Sequence, residues 1–290
     1  NKAPGHGSGP LPRRASVAAF VFGTDAITAL PADAPPGSFV WTHAGIGLLR
    51  NEQTRLALRF GPDGGGHDHR DKLNVDVETA GGWQSLDLGT SGYGSAFTEW
   101  MRSPVAHNLV VLDGRLQPAH TGRLVEWSDR HLVAESTWEG AHLRRSLQLT
   151  AKGWTDTCTV ALGAPRRIDW CFHGDGIFTP SHGDGVPSAI AGDGGYLRLN
   201  NVRLLPPDAL PGGVLAGVWR VPDGPAVALS LPVPAGFAVY LAEGEGNANG
   251  RPMGLVILRA TRQHAVFAAT FSPPSLLPSA SRPSPVTGSG

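Results

Sequence analysis

The sequence predicts an all-β protein, a large antiparallel β-sandwich with little helix, and three observations predict it. Glycine (39) and proline (25) make up about 22% of the 290 residues, against roughly 12% in average usage, and both disfavour helix interiors. Short runs alternate apolar and polar residues with period 2, the pattern of half-buried strands. Turn residues punctuate those runs at short intervals, and helical period is scarce. Many antiparallel strands with one wet face imply two packed sheets rather than a parallel α/β fold.

The elements follow in chain order. Residues 1–16 (NKAPGHGSGPLPRRAS) and 272–290 are dense in Pro, Ser and Gly and read as a linker and a disordered tail, because such segments bury too little apolar surface to offset ordering entropy. The sandwich is expected over residues 17–271. Ala15 to Leu30 and Ala96 to Arg102 are the two short helical candidates. Leu56, Leu58 and Phe60 share one strand face; Leu73, Val75 and Val77 share another, with Asn74, Asp76 and Glu78 opposite. Further strands are expected at 83–88, 108–112, 131–137, 143–149, 154–162, 168–172, 214–221, 226–231, 238–241, 255–260 and 265–271. No internal repeat is present.

Lys plus Arg (24) balance Asp plus Glu (24), which removes the electrostatic basis for nucleic-acid or membrane-surface binding. A hydrophobic content of 41% with eight Trp and ten Phe is too high for a disordered chain. The longest apolar candidate, Ala15 to Gly23, falls short of the roughly 18 residues of a membrane helix. The chain begins at Asn1 with no basic-then-apolar leader, so it is expected to be processed or a piece of something longer. If Gly163–Arg166 forms a hairpin loop, Cys158 faces Cys171 across it, close enough for a strained disulfide; the other reading is two buried thiols.

The densest polar stretch is Gly61 to Lys72, GPDGGGHDHRDK. Three glycines allow close backbone approach or positive φ. On an extended chain residues two apart project together, so His67 and His69 form half of a tetrahedral metal site. Asp87 in WQSLDLG and His107 at the start of HNLVVLDG adjoin apolar residues, where an unpaired polar group is costly. Each is read either as a ligand or as a strand-end residue wetted by solvent. The cupin pattern fails, because Leu73 and Asn74 stand where it needs Glu. An iron facial triad of His69, Asp71 and His107, with Arg115 as a loose cosubstrate anchor, is the alternative metal reading.

The ordered strings HDHRDKLN from His67, DLGTSGYG from Asp87 and RSPVAHNLVVLDGRLQ from Arg102 resemble the heparinase II/III-like family of polysaccharide lyases. The resemblance covers about fifty residues, from His67 to Gln117. It implies a C-terminal β-sandwich that in this family follows an α/α-toroid, with the active site in the cleft between them. It further implies a structural zinc held by His69, Asp87 and His107, a substrate-facing catalytic His67, and an acidic, uronic-acid-containing polysaccharide as substrate. The toroid supplies the family's Tyr acid/base and is expected upstream, so this part is expected to be catalytically incomplete alone. A secreted or periplasmic location is expected on the same ground, and a non-catalytic carbohydrate-binding sandwich is the second functional reading.

Other residues carry two readings each. Tyr93 approaches the cleft or packs in a turn. Arg102 pairs with an acidic sugar, whose carboxylate matches guanidinium geometry, or forms a surface salt bridge. Asn108 hydrogen-bonds the metal-site backbone or sugar. His173 begins a loop that reaches the cleft or is solvated. Arg144–Arg145 and Arg166–Arg167 read as solvated positions, and of the eight Trp, including Trp83, Trp100 and Trp127, most are expected in the core.

Overall fold

The computed structural model describes residues 37–65, 68–92, 94–192, 194–246 and 252–274. The expected linker 1–16, the helical candidate Ala15–Leu30 and the tail beyond residue 274 lie outside the described residues. Within them the chain is built almost wholly of antiparallel strands in two sheets, as the composition demanded. The smaller sheet runs β1 (Phe39–Trp41), β2 (Ile46–Arg50), β3 (Thr54–Arg59), β4 (Val75–Thr79) and β5 (Gln84–Ser85) in sequence order. The larger sheet is organised around two long strands, β10 (Gly153–Asp175) and β17 (Met253–Ser272). On one side of β10 lie β9 (Ala141–Thr150), β8 (His131–Trp138) and β7 (Arg123–Trp127), with β6 (Val110–Leu112) paired to its C-terminal half. Beyond β17 the sheet forks. One branch is β15 (Ala226–Pro232), β14 (Val214–Arg220) and β11 (Ile177–Pro180); the other is β16 (Ala238–Gly244), β13 (Asn200–Leu205) and β12 (Val186–Pro187).

Residue parity explains the layering. On the small sheet Leu56, Leu58, Val75 and Val77 point inward and are fully buried. They join Leu132, Leu143, Leu147, Trp154, Trp170 and Phe172 of the large sheet in one apolar cluster. The opposite face of β10 and β17 is also covered: Cys171, Leu255 and Ile257 pack against Trp100, Met101, Val105 and Leu109. The helix α1 (Ala96–Met101) that carries Trp100 starts at Ser95, whose hydroxyl accepts from the Thr98 backbone N–H. Because the C-terminal half of β10 is covered on both faces, IDWCFH reads as a nearly continuous apolar run rather than an alternation.

Three expectations are corrected. Gly163–Arg166 is not a hairpin loop: β10 runs straight through it, bulging where Ala161 pairs with His264 and Arg166 already pairs with Arg262. Pro165 has no N–H to give a ladder and is tolerated at such a bulge. Cys158 and Cys171 therefore sit on one strand, in different apolar clusters, as free buried thiols. The separate strands expected at 255–260 and 265–271 are likewise one strand, β17. Asp87 and His107 are not strand residues: β5 ends at Ser85, and His107 closes the 3-10 turn Pro104–Ala106. Strands β1, β2, β7, β11, β12 and β13 were not expected; several are short, and β7 and β12 have no buried face to give them a period.

Candidate metal centre

Three segments that the sequence separates meet at one edge of the smaller sheet. His69 lies in the β3–β4 connection, Asp87 follows β5, and His107 precedes β6. His69 Nδ1 is 3.1 Å from Asp87 Oδ2 and 3.1 Å from His107 Nε2, and His107 Nε2 is 3.4 Å from Asp87 Oδ2. These three side chains are the group of His, Cys, Asp or Glu among the described residues that could hold a metal ion.

Two of the three candidate ligand atoms, those of His107 and Asp87, are aimed by a bond made at the other end of the side chain. His107 Nδ1 donates to the Ser103 carbonyl at 2.9 Å, which leaves the Nε2 lone pair facing the cluster. Asp87 Oδ1 accepts from Gly89 N at 2.7 Å, leaving Oδ2 inward. Gly89 does this at φ +72°, a conformation glycine adopts without strain. Asp76 Oδ1 in turn accepts from Asp87 N at 2.8 Å. Around His69, Lys72 and Gln117 exchange two hydrogen bonds, Lys72 N to Gln117 Oε1 at 2.9 Å and Gln117 Nε2 to the Lys72 carbonyl at 3.0 Å.

The donor set suits a metal. Zinc bonds of about 2.0–2.1 Å in a tetrahedral shell place neighbouring ligand atoms roughly 3.3 Å apart, and the three spacings here straddle that value. Three such atoms converging this closely need a metal ion or a shared proton between them. Burial pushes the Asp87 carboxyl up, but hydrogen bonds from His107 and His69 outweigh this and hold it well below the usual carboxylate range. Burial opposes charging of His107, yet the adjoining Asp87 carboxylate raises its pKa.

The remaining expected residues separate. His67 and Tyr93 lie outside the described residues. Asp68, next to His67, is fixed by Arg59 Nη1 at 2.8 Å, Lys72 Nζ at 3.1 Å and Gly64 N at 2.9 Å. Beside it opens a cleft of about 320 Å³ whose walls include Arg59, Lys72 and Asp68. Asp71 does not join the cluster, which corrects the facial-triad alternative: its buried carboxylate faces Arg59 Nε at 3.5 Å. Arg102 is half-buried and ends α1 with its backbone N–H.

Asn108 is fully buried, and its amide is consumed: Nδ2 donates to the Val75 carbonyl at 2.9 Å and to Ser85 Oγ at 2.6 Å, while Oδ1 accepts from His173 N at 2.8 Å. It holds backbone near the metal centre and has no group left for sugar, which corrects its placement in a substrate site. His173 is not in a loop but in β10, buried, with Nε2 lacking a partner. Trp83 and Trp100 are buried, whereas Trp41 and Trp127 are exposed.

The least expected participant is Arg145. It is buried at the sheet interface with Asp156, Nε to Oδ1 at 2.9 Å and Nη2 to Oδ2. Its signal lay in the strand pattern: Ala141, Leu143, Arg145, Leu147 and Leu149 share parity, and so do Trp154, Asp156, Cys158 and Val160.

Fold and site together define a two-sheet antiparallel sandwich with a His–Asp–His centre at its edge. Residues 33–175 match the family model described as heparinase II/III-like, C-terminal, the family that the sequence motifs resemble. The match takes in the three clustered residues, Arg145, Asp156 and His173. Among solved structures, a heparinase III gene product is similar with a TM-score of 0.63 at 16% identity, covering 87% of this chain and 38% of that one. Heparan sulfate lyase HepC from Pedobacter heparinus is similar with a TM-score of 0.60 at 14% identity, with the same coverages. This chain thus spans well under half of those proteins, and the likeness shows a shared fold. No curated protein matches the sequence significantly.

Proposed function

We propose that this chain is the β-sandwich part of a polysaccharide lyase that cleaves uronic-acid-containing glycans by β-elimination, with zinc bound by His69, Asp87 and His107 as a structural ion. The observation that carries the reading is the meeting of three ligand atoms within 3.4 Å of one another, inside the segment matched to the heparinase II/III-like family. The printed names of the similar structures, heparinase III and heparan sulfate lyase, support an acidic polysaccharide as substrate. An α/α-toroid completes the active site in this reading, and secretion or a periplasmic location follows from an extracellular substrate. No helix among the described residues is long and apolar enough to cross a membrane.

The chemistry assigns the residues their parts. β-Elimination removes a weakly acidic proton beside the sugar carboxylate, so neutralising that carboxylate stabilises the developing enediolate. A base takes the proton and an acid protonates the leaving oxygen. His67 serves as hydrogen-bond donor or base, while Tyr93 and Arg102 are proposed to contact the sugar. Bound zinc would supply a fixed positive charge joining the β3–β4 connection, the segment after β5 and the segment before β6. His69, two residues beyond His67, would thereby be held, next to an Asp68 already fixed by Arg59 and Lys72, and this would aim the imidazole without any contact between substrate and metal. The cleft beside Asp68, walled by Arg59 and Lys72, fits an anionic sugar.

In the full-length enzyme, His67→Ala is expected to abolish the absorbance of unsaturated product while circular dichroism stays that of the parent. Full activity in that variant would overturn the catalytic assignment.

A further inference from the structure

We infer that Arg145 is a positioning residue that sets the spacing of the metal centre from inside the sandwich. The inference rests on the reading of His69, Asp87 and His107 as zinc ligands. Arg145 stands on β9, facing the smaller sheet, and its guanidinium directs four of five N–H groups at identified acceptors. Two go to Asp156 as a fork. The other two leave a single nitrogen: Arg145 Nη1 donates to the Leu73 carbonyl at 2.6 Å and to the Asn108 carbonyl.

Those two carbonyls belong to the segments that carry the ligands. Leu73 lies four residues after His69, and Asn108 directly follows His107. One nitrogen therefore ties together the two chain segments whose imidazoles must stand 3.1 Å apart. Leu73 holds φ at +70°, a left-handed conformation that a branched aliphatic residue adopts only when its surroundings compel it. Its carbonyl accepts from Arg145 Nη1, so the same bond fixes the turn that returns the chain from His69 to β4.

Asp156 explains why an arginine is tolerated here. The pair is buried on both sides, and a lone charge in that place would be strongly disfavoured. The carboxylate also locks the guanidinium plane, so Nη1 cannot swing away from the carbonyls. Lysine offers a point charge without the fork and cannot hold both ends at once.

The test uses the full chain and reads two quantities, the zinc dissociation constant from chelator competition and the imidazole NMR signals of His69 and His107 in metal-free protein. Arg145→Lys is expected to weaken zinc binding at least tenfold and to shift or broaden both imidazole signals. The control is Arg259→Lys, which disturbs another arginine–carboxylate pair, Arg259 with Asp169 at 2.6 Å, whose guanidinium donates to Asp169 and the Ala191 carbonyl. It is expected to lower Tm yet leave zinc affinity and both signals unchanged.

If Arg145→Lys does not fold, the neutral pair Arg145→Gln with Asp156→Asn replaces it, under the same expectations. Parent-like zinc affinity and imidazole signals in a folded Arg145 variant would overturn the inference, as would loss of fold in both. A parent protein that binds no zinc would refute the metal reading instead. The imidazole signals would then decide the role of Arg145 alone.

Discussion

At the scale of single residues, the surroundings of the His69–Asp87–His107 cluster are a place where polar groups are buried faster than they can be satisfied. Asp71 has both oxygens, and His173 and Ser103 one atom each, without a hydrogen-bond partner. His173 has the simplest consequence. Burial first, and then the nearby His107, push its imidazole down to about 3, against roughly 6.5 in an unfolded chain. Between those two values the unfolded chain takes up a proton that the folded one refuses. Stability is therefore complete above about pH 6.5 and drains away as pH falls toward 3, by on the order of 4 kcal/mol if His173 acts alone. In metal-free protein, His173→Leu is expected to flatten the fall of Tm between pH 6.5 and 4. Parallel Tm profiles for parent and variant would show that the imidazole titrates normally.

Elements set what single residues can do. The clustered residues were legible because Asp87 and His107 adjoin apolar residues, where an unpaired group is expensive, and because His69 stands in the densest polar stretch. The elements that carry them were less legible. A period-2 pattern marks faces but not ends, so Trp83–Leu88 looked like one strand although only Gln84–Ser85 pairs. Arg145 was misread because two adjacent arginines suggest a wet stretch; strand parity separates them, placing Arg144 outside and Arg145 inside. Gly163–Arg166 was misread because Gly and Pro signal turns and bulges alike. Strand β10 offers a test of how tightly the elements are fitted. A Cβ added at Gly174 would stand 2.1 Å from Trp83 Cζ2, and Trp83 is buried with Nε1 donating to the Asp175 carbonyl at 2.9 Å. Overpacking of this kind costs about 1–3 kcal/mol, so Gly174→Ala is expected to lower Tm by roughly 3–9 °C. A Tm within one degree of the parent would mean that this packing gives way freely.

For the whole molecule, composition and alternation sufficed for the class of fold, because Gly and Pro at this density leave few other ways to bury six of the eight tryptophans. Topology was beyond them. The fork beyond β17 arises because the two halves of one strand pair with different neighbours, β16 through Ala238–Gly244 and β15 through Ser272 and the residues before it. Nothing local in the chain announces such a division of partners. What the fold accomplishes is to bring residues 69, 87 and 107 to one point while the sandwich behind them holds the spacing. The most direct measurement is metal content per chain after dialysis, joined to the X-ray absorption edge of the bound metal, for the parent and for Asp87→Asn. One zinc per parent chain is expected, with imidazole nitrogens and a carboxylate oxygen at about 2.0–2.1 Å, and loss of most of that zinc in the variant. A parent chain without zinc, or a variant that keeps all of it, would contradict the account.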